Sequence, residues 1–206
     1  MKIVAAFDSF KGSLSAQDIV TIVGKAVRTT LPNATITELP LADGGEGTTE
    51  ALAHYLNASW QICNAHDALM RPITTKYAIS SNGTTAIMDM ASAAGLTLLF
   101  SEERNPMLTT TFGVGEMLKD AISKGCKHIL LGIGGSATND AGIGMLAALG
   151  VKFYDNHKRE VTPIGKNLKL ISSVDLSKII SLKTITIDVI CDVTNPLYGP
   201  NGAAHI

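Results

Sequence analysis

The strongest constraint in this sequence is a pattern that recurs along the chain. A short apolar run ends in a polar turn bearing glycine or an acid, and a segment of helical spacing follows. His128–Ile133 runs into Gly134-Gly135-Ser136, after which residues 139–149 read as a helix. Residues 2–7 end the same way at Asp8. Ser13 or Ser15 is then placed to cap a helix in which Ile19, Ile22, Val23, Ala26 and Val27 recur, and Pro32 stops it. Thr35–Leu39 reads as a second strand, 41–47 as a loop and 48–56 as a short helix. Strands alternating with helices specify a parallel α/β sheet, and unbroken apolar runs such as 2–7 read as strands buried on both faces.

The middle of the chain breaks the alternation. Residues 59–65, 73–79 and 84–90 are three strand-like runs in succession, with Asn82-Gly83 as a turn signal. They predict a partly antiparallel section or a small second lobe. Helical spacing returns at 112–124, Val151–Tyr154 reads as a strand, and 156–184 is poorly patterned. Thr186–Cys191 reads as the final strand, followed by Asp192 and a stretch rich in Pro and Gly.

Composition removes several function classes. Lys plus Arg is 17 against 18 Asp plus Glu, without the basic surplus an electrostatic nucleic-acid binder needs. Hydrophobic residues are 46% of the 206, too many for a disordered chain. Cys63, Cys126 and Cys191 are few and far apart, which fits a reduced compartment rather than a disulfide framework or a zinc site. The five histidines, including His54 and His157, lack metal-ligand spacing. No run approaches the roughly 18 apolar residues of a membrane span, so a soluble cytoplasmic protein is expected.

In a parallel α/β sheet, ligands bind beyond the carboxyl ends of the strands. Four turns lie there: Asp8–Ser13, Asp43–Thr48, Gly132–Asp140 and Asp192–Asn195. The turn at Gly134-Gly135-Ser136, with the Thr138 hydroxyl and the amides of a helix start, suits a phosphate; it reads equally as a tight, capped turn. Gly132, Gly134 and Ala137 also match the local G-x-G-x-x-A dinucleotide fingerprint, with Asp155 about 20 residues on. Asp8 and Asp43 are each a metal or substrate ligand, or simply a turn residue, and Lys11 is a phosphate partner or a solvated charge. Asp192 follows an apolar strand, where burial would tune it as a base; a turn aspartate is the plainer reading. Thr109-Thr110-Thr111 reads as a helix N-cap.

Taken together the turns resemble the type I glycerate kinase family. The matching runs are DSFKGSLSA at 8–16, PLADGGEGT at 40–48, ERNPMLTTTFGVGE at 103–116, GIGGSATNDAG at 132–142 and CDVTNPLYGPNGAA at 191–204. The resemblance implies ATP- and Mg²⁺-dependent phosphorylation of a hydroxyl of D-glycerate, in the cleft of a two-lobe α/β fold. The implied architecture is a mostly parallel Rossmann-like sheet with helices on both faces, plus a smaller mixed-strand lobe near 59–105. Carried over, Gly134, Gly135, Ser136 and Thr138 become phosphate-binding candidates and Asp192, Lys11 and Asp8 catalytic ones. Ser9, Asp43 and Asn139 become substrate contacts, and Asp43 and Asp192 metal ligands. Phe7 stands where a proline is usual, which loosens the first turn. The likeness spans only about the N-terminal half of the usual family length. A truncated frame is therefore expected, with a cleft lacking one wall, exposed apolar surface and activity in doubt. A non-catalytic nucleotide-binding remnant and an NAD-dependent oxidoreductase are the competing functions.

Overall fold

Five short strands in one sheet and four more in two small pairs must be roofed by few helices, and the glycines decide how closely those helices can approach. The computed structural model describes residues 1–10, 13–45 and 47–203. In chain order the elements are β1 (Lys2–Phe7), α1 (Ala16–Thr30), β2 (Thr35–Pro40), α2 (Thr48–Tyr55), β3 (Ser59–His66), β4 (Pro72–Ile79) and β5 (Thr85–Asp89). Then come α3 (Ala91–Ala94), α4 (Phe112–Ser123), β6 (His128–Gly132), α5 (Ile143–Ala148), β7 (Lys152–Tyr154), β8 (Ser173–Asp175) and β9 (Thr186–Ile190).

The main sheet has the order β3-β4-β5-β6-β9. β3, β4 and β5 pair antiparallel, and β5, β6 and β9 pair parallel. The mixed strands expected near 59–105 therefore belong to the same sheet as the parallel ones. β1 and β2 form a separate parallel pair, and β7 and β8 an antiparallel one.

Helices cover both faces of the main sheet. The two-residue period sends Cys63, Tyr77, Met88, Ile129 and Leu131 to one face, where they meet Val114, Met117, Leu118 and Ala121 of α4. Those four α4 residues follow the i, i+3, i+4, i+7 spacing of a single stripe. Ala78, Ile87 and Leu130 point the other way and pack on Leu52 and Ala53 of α2. Gly115 lets α4 lie against α5, because a Cβ there would fall 2.7 Å from the Ala148 Cβ.

Several local expectations change. β1 is mostly exposed, with Ala5 its one buried residue, because α1 covers only one side of the β1–β2 pair. Ser15 caps α1 by accepting from the Asp18 amide at 3.1 Å. The buried face of α1 is Ile19, Val20 and Gly24, while Ile22 points out. The helix expected over 139–149 is only Ile143–Ala148, because Ala141 and Gly142 take positive φ of 52° and 74° and hold the preceding residues out of helix. β7 leaves the main sheet to pair with β8, and with Ile143, Val161 and partners it builds a second small core. Among the described residues no helix is long and apolar enough to cross a membrane.

Candidate active site at the carboxyl edge of the sheet

The loops after β2, β6 and β9 meet at one edge of the molecule, and glycines are what let them meet. Gly44 is buried at φ +98°, with its Cα against the Ile190 carbonyl that ends β9. The Gly134 amide donates to the Gly44 carbonyl at 2.9 Å, and the Ile133 amide donates to the Ile190 carbonyl at 3.3 Å. A Cβ on Gly134 would fall 2.6 Å from the Gly45 Cα, and one on Gly132 would fall 2.7 Å from the Gly44 carbonyl oxygen. The seam is made of backbone against backbone, so side chains are excluded from it. Thr48 closes the β2 loop by receiving the Gly44 amide at 3.1 Å and donating to the Gly45 carbonyl at 2.8 Å.

The loop after β6 is anchored from below. Asp140 is buried and accepts from the Thr111 amide at 2.8 Å and the Thr111 hydroxyl at 2.9 Å. It also accepts from the amides of Gly142 at 3.0 Å and Gly144 at 3.1 Å. Four donors on one buried carboxylate offset its desolvation. Thr109 donates to the Ala137 carbonyl at 2.8 Å. Thr111 is the residue before α4, but its hydroxyl caps no amide of that helix; it serves Asp140 and receives the Met145 amide. The threonine run thus braces the loop rather than simply capping the helix.

Asp89 ends β5 beside Gly132. Its carboxyl is buried, and both oxygens receive the Thr49 amide, at 3.1 and 3.3 Å, which ties the start of α2 to the sheet. Burial pushes its pKa up to about 6, against the opposing pull of the hydrogen bonds from Thr49.

The expected site residues divide into three groups. Asp43, Gly134, Gly135 and Ser136 lie on the converging loops, and Asp192 follows two residues after β9. Asp43 is half-buried and accepts from the Gly45 amide at 2.9 Å through one oxygen. Asp8 and Ser9 are half-buried at the end of β1, beside the end of β2, where the Leu41 amide reaches the Phe7 carbonyl at 2.8 Å. Lys11 lies outside the described residues. Among the described residues no three or more His, Cys, Asp or Glu side chains gather as a metal cage.

Three expectations fail on physical grounds. Asp192 is exposed because β9 is an edge strand, so the buried-base reading of it fails and the plainer turn reading stands. The Gly134 amide is not a free phosphate donor, since Gly44 already takes it. The glycine turn does not open onto a helix start; residues 136–142 intervene. The dinucleotide reading fails as well. It needs the strand ending at Asp155 beside β6, whereas β6 is flanked by β5 and β9. Asp155 instead closes a turn onto Arg159, receiving its amide and its Nε, each at 2.9 Å.

A cleft of about 320 Å³ adjoins the seam. Ser136, Thr138 and Asn139 line it with Arg104, Leu96 and Pro106, and Ala203 closes one side. Sequence reasoning passed over Arg104, Asp89 and Asp140. Asp140 and Arg104 sit inside two of the matched runs, and Asp89 ends an apolar run, so each carried a readable signal.

Similarity to known proteins identifies the family and the fold. Residues 3–206 match the glycerate kinase family. The chain is 42% identical over 207 aligned positions to glycerate 2-kinase of Escherichia coli (strain K12), covering all of this chain and 54% of that protein. It is 41% identical to glycerate kinase of Bacillus subtilis (strain 168), again covering 54% of the relative. A crystal structure provisionally described as glycerate kinase 2 from Salmonella typhimurium LT2 superposes with a TM-score of 0.86 at 39% identity, over 100% of this chain and 56% of that one. The chain spans about half the length of the relatives it matches, and it belongs to the glycerate kinase family.

Proposed function

We propose that this chain carries the nucleotide- and acceptor-handling edge of an ATP-dependent kinase that phosphorylates a hydroxyl of D-glycerate. The observation that carries the reading is the seam at Gly44 and Gly134, which brings the loops after β2, β6 and β9 to one edge. Phosphoryl transfer asks a protein mainly for positioning and charge neutralisation; the converging loops supply the positioning, and a bound cation would supply the neutralisation. The hydroxyls of Ser136 and Thr138, with the Gly135 backbone, are the donors offered to phosphate oxygens. Asp8 and Lys11 belong to the first turn and are assigned, with Asp192, to the reacting groups by likeness of motif.

The donor set suits Mg²⁺. Asp43 has an oxygen uncommitted among the described residues, and Asp192 is exposed. Mg²⁺ commonly binds one or two carboxylates and completes its shell with water and phosphate oxygens, so no larger protein cage is required. When bound, the ion would neutralise phosphate charge. Asp43 and Asp192 would hold it, and a nearby carboxylate would accept the hydroxyl proton.

The test follows ADP and phosphoglycerate in a mixture of the chain, ATP, Mg²⁺ and D-glycerate. Turnover that falls about 100-fold or more in Asp43→Asn is expected, the scale on which loss of one transition-state electrostatic group acts. Stabilisation by ATP–Mg²⁺ without turnover would instead identify a nucleotide-binding module. A chain that shows no turnover and no stabilisation by ATP–Mg²⁺ overturns the reading.

A further inference from the structure

We infer that the cleft beside the seam is the acceptor pocket, with Arg104 binding the carboxylate of a small hydroxy acid. This deepens the kinase reading and rests on it for the identity of the acid. Arg104, Ser136, Thr138 and Asn139 face one cleft of about 320 Å³, with Leu96 and Pro106 as its apolar wall. That volume is at the small end of ligand pockets and fits a molecule of few atoms.

The charge pattern selects the ligand. Arg104 is the cleft's only cation among the described residues, and no carboxylate lines it. Its neighbour Glu103 is already taken by Arg71 at 2.8 Å, and Arg71 also holds Asp67 at 2.5 Å. Arg104 itself has no ion-pair partner among the described residues. The guanidinium matches the acid's carboxylate and the Asn139 amide its hydroxyls, while Ser136 and Thr138, next to the seam, stay available to the phosphoryl group that the acid is to receive. A triphosphate would call for more cations than this cleft presents.

The cleft is also built rather than accidental. The segment carrying Arg104 is braced by the Asn105 side chain, which receives the Met107 amide at 3.1 Å, and by the Lys166 amide on the Met107 carbonyl at 2.8 Å. On the opposite bank, Ala137 is held by its amide on the Ala94 carbonyl at 2.7 Å and by Thr109. Neither Ser136, Thr138 nor Asn139 spends its side chain on another described residue. A ligand therefore meets three uncommitted polar groups and a cation on fixed backbone.

Thermal stabilisation and calorimetry of the 206-residue chain with separate ligands test this. D-glycerate should bind, and glyceramide, which lacks the charge, should bind about tenfold or more weakly. Arg104→Met should weaken D-glycerate by about tenfold or more, Arg104→Lys by less, and both should leave ATP–Mg²⁺ within about twofold. The unliganded Tm of Arg104→Met should match that of the parent, since the side chain is exposed. The inference is overturned if D-glycerate does not bind, if glyceramide binds as well as D-glycerate, or if Arg104→Met leaves D-glycerate binding intact. It is also overturned if inorganic phosphate or ATP, rather than D-glycerate, is what depends on Arg104. D-glycerate held through Arg104 in a chain that never binds ATP or makes phosphoglycerate would sink the kinase reading and leave the acceptor pocket standing.

Discussion

β6 and β9 are neighbouring parallel strands, hydrogen-bonded to each other with Ile129 beside Ile187 and Leu131 beside Val189. Their sequences are similarly rich in apolar residues, yet they live in different surroundings. Ile129 is 0% exposed and Leu131 3%, whereas Ile187 is 36% exposed and Val189 55%. Both pairs point to the same face of the sheet, because aligned residues of adjacent strands do. What differs is the roof. α4 packs over β3 to β6, and no residue of β9 joins the core beneath it. An apolar run thus predicts a strand, while the helix above it decides whether the strand is buried.

The largest effect should come from removing that roof. Leu118→Ala opens a void under α4 and should cost about 2–5 kcal/mol in urea denaturation, the range for buried Leu-to-Ala changes. A cost under about 1 kcal/mol would mean that α4 does not seal the face as described. The void would lie on the side away from Asp89, so binding at the sheet edge should suffer through stability rather than through altered geometry.

The same contrast explains what the sequence could reveal. The strands at 59–66, 72–79 and 85–89 were legible because alternation and the Asn82-Gly83 turn are local signals. The exposure of Lys2–Phe7 was not, since nothing within KIVAAF records that α1 lies on one side only. The shortened helix after residue 139 was missed because its cause is nonlocal: Thr111 and the amides of the turn converge on Asp140. Of the two seam glycines, the sequence reading assigns Gly134 to phosphate and gives Gly44 no task. A glycine read alone suggests an approaching phosphate, and here the approaching group is another loop's backbone. The converging turns themselves were readable from the rule that sites lie beyond carboxyl ends of parallel strands. Arg104 was less so, because it comes from an irregular segment rather than from a strand end.

A smaller effect separates the buried end of β5 from its surroundings through pH. The Asp89 carboxyl titrates near 6 in the folded chain, above the value of about 4 for an unfolded aspartate. The folded state therefore binds this proton more tightly. Its stabilising contribution is complete below about pH 4 and is lost as pH rises through about 6, a change of about 2–3 kcal/mol from this group. Asp89→Asn should remove that slope, so the difference between parent and variant stability should vary across pH 4–7. Parallel curves would place the carboxyl in water and contradict its burial under the start of α2.

The smallest effect is expected on β9, and it is the sharpest check on the comparison. Val189→Thr keeps a β-branched side chain, so the strand preference is retained. At a site 55% exposed, the new hydroxyl can stay hydrated, and stability should change by no more than about 0.5 kcal/mol. The same exchange at Leu131, beneath α4, would bury an unpartnered hydroxyl and leave a void, so the two positions should differ by several-fold in cost. If Val189→Thr instead costs about 2 kcal/mol, and does so more strongly at high protein concentration, β9 is covered in solution by another molecule. In that case the exposed strand is the uncovered half of an interface, and the roof over this sheet extends beyond α4.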